Sequence, residues 1–270
     1  MLKNPLSNYL FFLKRFLRLS EIKNDDTMND YSLSFLHAGI IHKKLLLRKL
    51  YEDFYIELAG VLPEERKGEL VVELGSGAGF IKEIMPAVIT SDILRLPNVD
   101  LNFSAINMPF HDSTVSAFLM INTLHHIGNT QIFFKEASRC LRIGGKLVMI
   151  EPANTALSRF GHTYFHYEDF NPLDGWCFEK KKGHLLSANC AIPWIIFCRD
   201  KQRFKREYPL LKILKIKVHT PFRYWTSGGF SMRQLVPSWA SGLVKSIEIL
   251  SSSLNRYIGM FMTIELEKTG

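Results

Sequence analysis

Val71-Val72-Glu73-Leu74-Gly75-Ser76-Gly77-Ala78-Gly79-Phe80 is the stretch on which the fold turns. An apolar run ends in an acid and then in three glycines at alternate positions, ahead of a helical segment. Glycines so placed let the backbone approach a ligand more closely than side chains would allow. A dinucleotide fingerprint needs its third glycine three residues after the second, where this chain has Phe80, so NAD is disfavoured. A P-loop is absent, because no Gly-Lys-Ser/Thr follows.

The next piece outward is Ile89-Thr90-Ser91-Asp92, a strand signal closing on a carboxylate 19 residues beyond Glu73. In an open α/β sheet, strand carboxyl ends face the ligand crevice, and an acid there can accept both hydroxyl protons of one ribose. The runs Leu70–Leu74, Ala87–Thr90, Val99–Phe103, Ala117–Ile121 and Lys146–Ile150 alternate with helical segments Phe80–Met85 and Thr130–Leu141. Such alternation argues for a parallel α/β sheet. Before it, a polar loop Asn24–Asn29 precedes a helical period that runs from His37 to Leu58, and Pro63 and Gly68 close this N-terminal region. After it come an irregular aromatic stretch Phe160–Phe178, a helix near Pro193–Tyr208, and strands Ile213–His219 and Met260–Glu267, the last completing the sheet.

A chain of 270 residues, 47% hydrophobic, can bury a full core without disulfides or metals, and disorder, collagen and coiled coil are excluded. Cys140, Cys177, Cys190 and Cys198 form no C-x-x-C pair and read as reduced thiols in a cytoplasm. No apolar run reaches the roughly 18 residues of a spanning helix, and the leading stretch, Leu185–Cys198, contains Pro193. Export is not expected, because no small-residue cleavage site follows an apolar core and Lys14, Arg15 and Arg18 interrupt that core. Tyr9, Leu10, Leu13, Phe16 and Leu17 make the apolar face of a short basic amphipathic helix, which either docks on its own domain or lies on a bilayer. The expected location is cytoplasmic, with peripheral contact at the inner face of the membrane left open. The net charge of +8 is concentrated late in the chain, where Arg199 to Arg223 holds nine bases against Asp200 and Glu207. That segment can attract phosphate or an anionic membrane, or can simply be a solvated face.

Taken together these residues resemble the class I S-adenosylmethionine (SAM)-dependent methyltransferases, in particular the small-molecule branch that includes quinone-biosynthesis enzymes. The likeness covers roughly Leu70 to Ala153. It implies a Rossmann-like α/β fold with a seven-stranded sheet, mostly parallel with the last strand antiparallel, and SAM as cofactor. By resemblance, Glu73, Gly75, Ser76, Gly77 and Gly79 hold the methionine part of SAM and Asp92 holds the ribose. The family's D-A-x-x-L-P-F element appears as Ser104-Ala105-Ile106-Asn107-Met108-Pro109-Phe110, with Ser104 in place of the acid that meets the adenine amino group and Ala105 leaving room for the ring. Met120-Ile121-Asn122-Thr123-Leu124-His125-His126-Ile127 matches the segment after the fourth strand, which places Asn122 beside the methyl donor, and Leu141-Arg142-Ile143-Gly144-Gly145-Lys146-Leu147 matches the turn before the fifth. Only some dozen residues separate Asp92 from Ser104, too few for a full helix between strands two and three.

Two regions follow: an N-terminal helical region over 1–69 and a methyltransferase domain over 70–270, with a substrate cap or insertion at about 154–210 and 220–257. The candidate catalytic residues are His125, His126, Glu151, His162 and His166, any of which could take the proton of a hydroxyl acceptor or serve only as a structural hydrogen-bonding group. His162, His166 and Glu168 suggest a metal by spacing, but without a third well-spaced ligand the segment reads as a substrate-cap loop and no metal is expected. Trp176, Trp194, Trp225 and Trp239, with Phe197, Phe222, Tyr224 and Phe230, fit either a core or an apolar acceptor pocket. The expected partner is a small-molecule or lipid-linked acceptor. Nucleic acid is the weaker reading, since Asn122-Thr123-Leu124-His125 is not the N-P-P-Y element that holds a flipped base and no Pro-Cys nucleophile is present. A catalytically inactive binding protein on the same fold, at a membrane surface, is the alternative of another class.

Overall fold

The computed structural model describes residues 13–22, 29–62, 69–166, 168–179, 183 and 187–270. Seven strands form one sheet: β1 (Val71–Leu74), β2 (Ile89–Asp92), β3 (Leu101–Asn102), β4 (Val115–Ile121), β5 (Leu141–Pro152), β6 (Leu211–His219) and β7 (Phe261–Lys268). Their order is β3-β2-β1-β4-β5-β7-β6. Strands β1 to β5 pair in parallel, and β7 runs antiparallel between β5 and β6. All seven residues of β4 are buried, as expected for a central strand covered on both faces.

The covering helices carry the sequence signals that predict them. Helix α1 (Asp30–Lys43) begins at Asn29, whose side chain accepts the Ser32 amide. Helix α2 (Leu45–Gly60) buries Leu46, Leu47, Leu50, Tyr51, Phe54, Tyr55 and Leu58, a stripe of 3.6-residue period, against β1, β4, β5 and β7. Helix α3 (Thr130–Cys140) starts at Asn129, which accepts the Ile132 amide, and packs Phe133, Phe134 and Ala137 on the opposite face of the sheet.

Several expectations from the sequence are corrected here. The single helix from His37 to Leu58 is broken at Lys44, which is extended (φ −93°, ψ 92°). Its ammonium is buried and donates to the carbonyls of Gly229 and Met232, which draws the residue out of helical register. The segment Phe80–Met85 holds only a 3-10 turn, Ile81–Glu83, and β2 begins two residues later than its apolar run. Strand β5 extends back through Gly144 and Gly145 to Leu141, because its ladder with β4 continues past an irregularity between Val115 and Ala117. The helix near Pro193–Tyr208 is split into Ile192–Trp194, a π turn Ile195–Arg199 and α5 (Lys201–Glu207). As anticipated, no helix lies between β2 and β3.

The basic segment is not one patch. Lys212, Lys215 and Lys217 lie along β6, which among the described residues pairs only with β7 and is therefore an edge, where lysines discourage pairing with another chain. Arg203 pairs with Glu207 and lies over the Trp176 ring, while Arg223 joins Asp53 and Glu248. Of the N-terminal amphipathic helix, Tyr9 and Leu10 lie outside the described residues, and residues 13–17 are helical. Among the described residues, no helix is long and apolar enough to cross a membrane.

Candidate functional site

The carboxyl ends of β1, β2, β4 and β5 open onto one cavity of about 500 Å³. Its first half is backbone-rich. Gly75 has φ +69°, and a Cβ there would lie 2.4 Å from Thr123 Cγ2, so glycine is required both for the turn and for the approach of the β4 loop. A Cβ at Gly79 would lie 2.3 Å from the Tyr55 hydroxyl, which itself accepts the Phe80 amide. The Gly77 amide donates to Asp92 Oδ2 at 2.9 Å and the Leu94 amide to Oδ1 at 2.8 Å, which pins the β1 loop to the end of β2. Ser76 and Ser91 exchange hydrogen bonds across the same pair of strands.

Two buried polar atoms in this half have no hydrogen-bond partner: Glu73 Oε2 and Asn122 Oδ1. Glu73 is 2% exposed. Burial pushes its carboxyl up to about 7, the charge of Asp92 adds to the rise, and hydrogen bonds from Ser76 and Tyr55 hold it back. Asn122 sits at φ +52°, with its amide nitrogen donating to the Tyr51 hydroxyl at 3.0 Å. A carboxylate and an amide oxygen, both buried and each with free acceptor capacity, are donor-seeking groups of the kind a ligand ammonium satisfies.

The second half is a cluster of histidines around carboxylates. Glu151, fully buried at the end of β5, accepts the Thr123 and Leu124 amides through Oε1 and meets His125 Nδ1 at 2.6 Å through Oε2. On the far side of that ring, His125 Nε2 lies 3.4 Å from Glu168 Oε2. Glu168 also faces His126 Nε2 at 3.5 Å and His166 Nδ1 at 3.8 Å, and Cys190 Sγ is 3.0 Å from its Oε2. Burial would raise the Glu168 pKa, but His126, His166 and His125 together hold it well below the usual carboxylate range. Burial depresses His162 and His166, and takes His37 down to about 4. Burial and the neighbouring Glu168 push the Cys190 thiol up to about 12, so it is no nucleophile on its own.

A family model described as a methyltransferase domain matches residues 72–149. A SAM-dependent methyltransferase structure from Thermotoga maritima, a possible histamine N-methyltransferase, superposes with a TM-score of 0.53 at 17% identity, covering 87% of this chain and 99% of that one. Residues 72–149 thus match a methyltransferase domain, and the chain shares the fold of a SAM-dependent methyltransferase. The demethylmenaquinone methyltransferase of Tropheryma whipplei (strain Twist) is 28% identical over 100 residues, 31% of this chain and 42% of that protein. The alignment with this relative therefore spans less than half of the relative's length.

In this chain the fold brings Glu73, Gly75, Ser76, Gly77, Gly79, Asp92, Ser104, Ala105 and Asn122 to the same cavity wall. Of the candidate catalytic residues, His125, His126, His162 and His166 also line the cavity, whereas Glu151 stands behind His125 with both oxygens engaged. His162 stacks on Phe170 with ring centroids 5.1 Å apart. The expectation that His162 and His166 lack a further ligand is corrected: Cys190 joins them within 4.8 Å. Sequence reasoning missed His37, Tyr51 and Tyr55, which α1 and α2 carry into the cavity wall. Tyr51 and Tyr55 share one helix face at an i, i+4 spacing, but nothing in a helical stripe distinguishes a cavity wall from a core. Of the late aromatics, Tyr224 and Phe230 line the cavity, Trp176 is core, and Trp239 is 81% exposed.

Proposed function

We propose that this chain transfers the methyl group of SAM to a small-molecule acceptor seated among the histidines. When bound, SAM supplies an electrophilic methyl carbon on a sulfonium. Glu73 would receive the ammonium, Asp92 the ribose hydroxyls, and Ser104 with Ala105 the adenine edge. The observation that supports this most directly is the unpartnered, buried Glu73 Oε2 beside a glycine loop in a cavity of about 500 Å³. Such a volume lies in the range of small-molecule sites.

Methyl transfer needs an in-line nucleophile, so the protein contributes chiefly by positioning. Where the acceptor carries an acidic proton, His126, lining the cavity with its Nε2 facing Glu168, would take it, and the carboxylate would stabilise the resulting imidazolium. Calorimetric titration with SAM and with its demethylated product, on wild type and on Asp92→Asn, tests the reading. Wild-type binding that weakens roughly 10-fold or more in the variant supports it, as expected for loss of charged hydrogen bonds. No binding to the wild type overturns it and favours an inactive scaffold.

The finer reading, an apolar or lipid-linked acceptor met at a membrane surface, is favoured by one feature. Trp239, Leu243, Ile247, Leu250, Leu254 and Tyr257 are all exposed and follow one another at helical spacing. They lie in the connection between β6 and β7 that also supplies Tyr224 and Phe230 to the cavity. Flotation with anionic liposomes tests it: recovery with the vesicles that is lost in Leu250→Glu supports the reading, and a protein that stays at the bottom refutes it.

A further inference from the structure

Cys190 belongs to two groups of ligand-type side chains at once, His162–His166–Cys190 and His125–Glu168–Cys190, and within each the donor atoms lie within 4.8 Å of one another. All five residues line the acceptor half of the cavity. Three come from widely separated parts of the fold: His125 from the loop after β4, His162 from helix α4 (Ala156–Tyr164), and Cys190 from the chain just before Ile192.

Three observations separate this cluster from an ordinary polar patch. The first is spacing. Zinc bonds of about 2.0–2.3 Å to nitrogen, oxygen and sulfur place neighbouring ligands roughly 3.3–3.8 Å apart at tetrahedral angles. Glu168 Oε2 lies 3.4 Å from His125 Nε2, within that range, and 3.0 Å from Cys190 Sγ, a thiol hydrogen bond that would lengthen once an ion replaced the proton, while His166 Nδ1, 3.8 Å away, accepts the Glu168 amide. The second is the orientation of the ring. Glu151 meets His125 Nδ1 at 2.6 Å and fixes that nitrogen outward, so Nε2, which faces Glu168, is the nitrogen placed to bind an ion once its proton is displaced. A carboxylate behind the far nitrogen of a histidine is the usual outer support of a metal ligand. The third is an orphan: His162 is 7% exposed, and its Nδ1 has no hydrogen-bond partner.

We infer that this protein binds a divalent transition metal ion of the zinc class at Cys190, with donors drawn from His125, Glu168, His162 and His166. Thiolate with imidazole suits zinc, and it argues against magnesium or calcium, which prefer all-oxygen sites. On binding, the ion takes the place of the Cys190 thiol proton and of the proton on His125 Nε2, both of which leave to solvent. Because the donors line a cavity, the ion can keep a position open to a ligand, as catalytic zinc sites do. That the open position holds an oxygen of the methyl acceptor rests on the methyl-transfer reading, whereas the metal binding itself does not.

The probes are Zn²⁺ and Co²⁺ with the full-length chain. Metal-stripped protein dialysed against Zn²⁺ should retain one equivalent by elemental analysis, and Co²⁺ should give the near-ultraviolet thiolate charge-transfer band together with intense visible bands of a tetrahedral site. Cys190→Ser should lose the charge-transfer band and the bound zinc, while Cys198→Ser, an exposed thiol, should keep both. Glu151→Gln should weaken zinc roughly 10–100-fold without removing a ligand. Wild-type protein that retains no zinc, or a Co²⁺ spectrum unchanged in Cys190→Ser, overturns the inference. Titration of the metal-free protein with the demethylated cofactor product separates the two readings, since its binding at the glycine loop should survive metal removal.

Discussion

Replacing Glu73 by glutamine keeps the shape of the side chain and removes its charge. In the folded protein this carboxyl titrates at about 7 against an ordinary 4.5, because burial penalises the ionised form. Its folded-state pKa lies above the unfolded one, so its contribution to stability is present in full below about 4.5 and is lost as pH rises through about 7. The whole interval corresponds to roughly 3 kcal/mol, of which about 1–3 kcal/mol should be recovered by glutamine at pH 8, since Ser76 and Tyr55 must now bond to an amide. Urea unfolding of wild type and Glu73→Gln at pH 5 and pH 8 reads this directly: the two should be closest at pH 5, with the variant more stable at pH 8. The same substitution should act in the opposite sense on cofactor binding. Wild-type affinity for the demethylated product should rise with pH through 7 as the carboxylate ionises toward the ligand ammonium. Glu73→Gln should lack that rise and bind roughly 10–100-fold more weakly at pH 8. A variant no more stable than wild type at pH 8, or affinities that coincide at every pH, would refute the argument from the buried carboxylate.

Other consequences can be checked one at a time. Gly79→Ala should abolish cofactor binding, measured by calorimetry, because its Cβ would displace the Tyr55 hydroxyl that receives the Phe80 amide. Gly75→Ala combines a left-handed backbone with a clash at Thr123 and should lower the urea midpoint as well. Arg139 donates to the carbonyls of Met108 and Phe110 while Glu136 accepts the Met108 amide, so Arg139→Ala should loosen the loop after Ser104. Its expected cost is about 1–3 kcal/mol in stability, with weaker cofactor binding and an unchanged metal content.

The part of the fold that could be read from sequence is the part governed by local rules. A buried parallel strand must be a short apolar run, and a glycine loop between strand and helix has few uses, so β1, β2, β4 and the glycine-loop half of the cavity follow from Val71 to Asn122. The helix break at Lys44 could not be read, because its cause is a pair of carbonyls at Gly229 and Met232, far along the chain. The histidine cluster failed for the same reason. His162 and His166 show their own spacing, but Cys190 and His125 reach them only through the sheet order and the path of the β5–β6 connection. The basic run Arg199–Arg223 was legible as charge and misleading as a surface, since alternate lysines on an edge strand serve the sheet itself.

The packing of α2 bears on how the chain can be divided. Val71, Ala117, Leu119, Ile121, Val148 and Ile150 share a hydrophobic cluster with Leu47, Leu50, Phe54 and Leu58, and on the neighbouring turn of the same helix Tyr55 braces the glycine loop. Only a 3-10 turn separates β1 from β2, so this face of the sheet depends for its cover on a helix that precedes the sheet in the chain. A fragment begun at residue 70, though it holds all seven strands, would present that apolar face to water and would aggregate or swap a helix in from a neighbour. Expression designs, domain fusions and chimaeras built on this protein therefore need their junction upstream of Asp30.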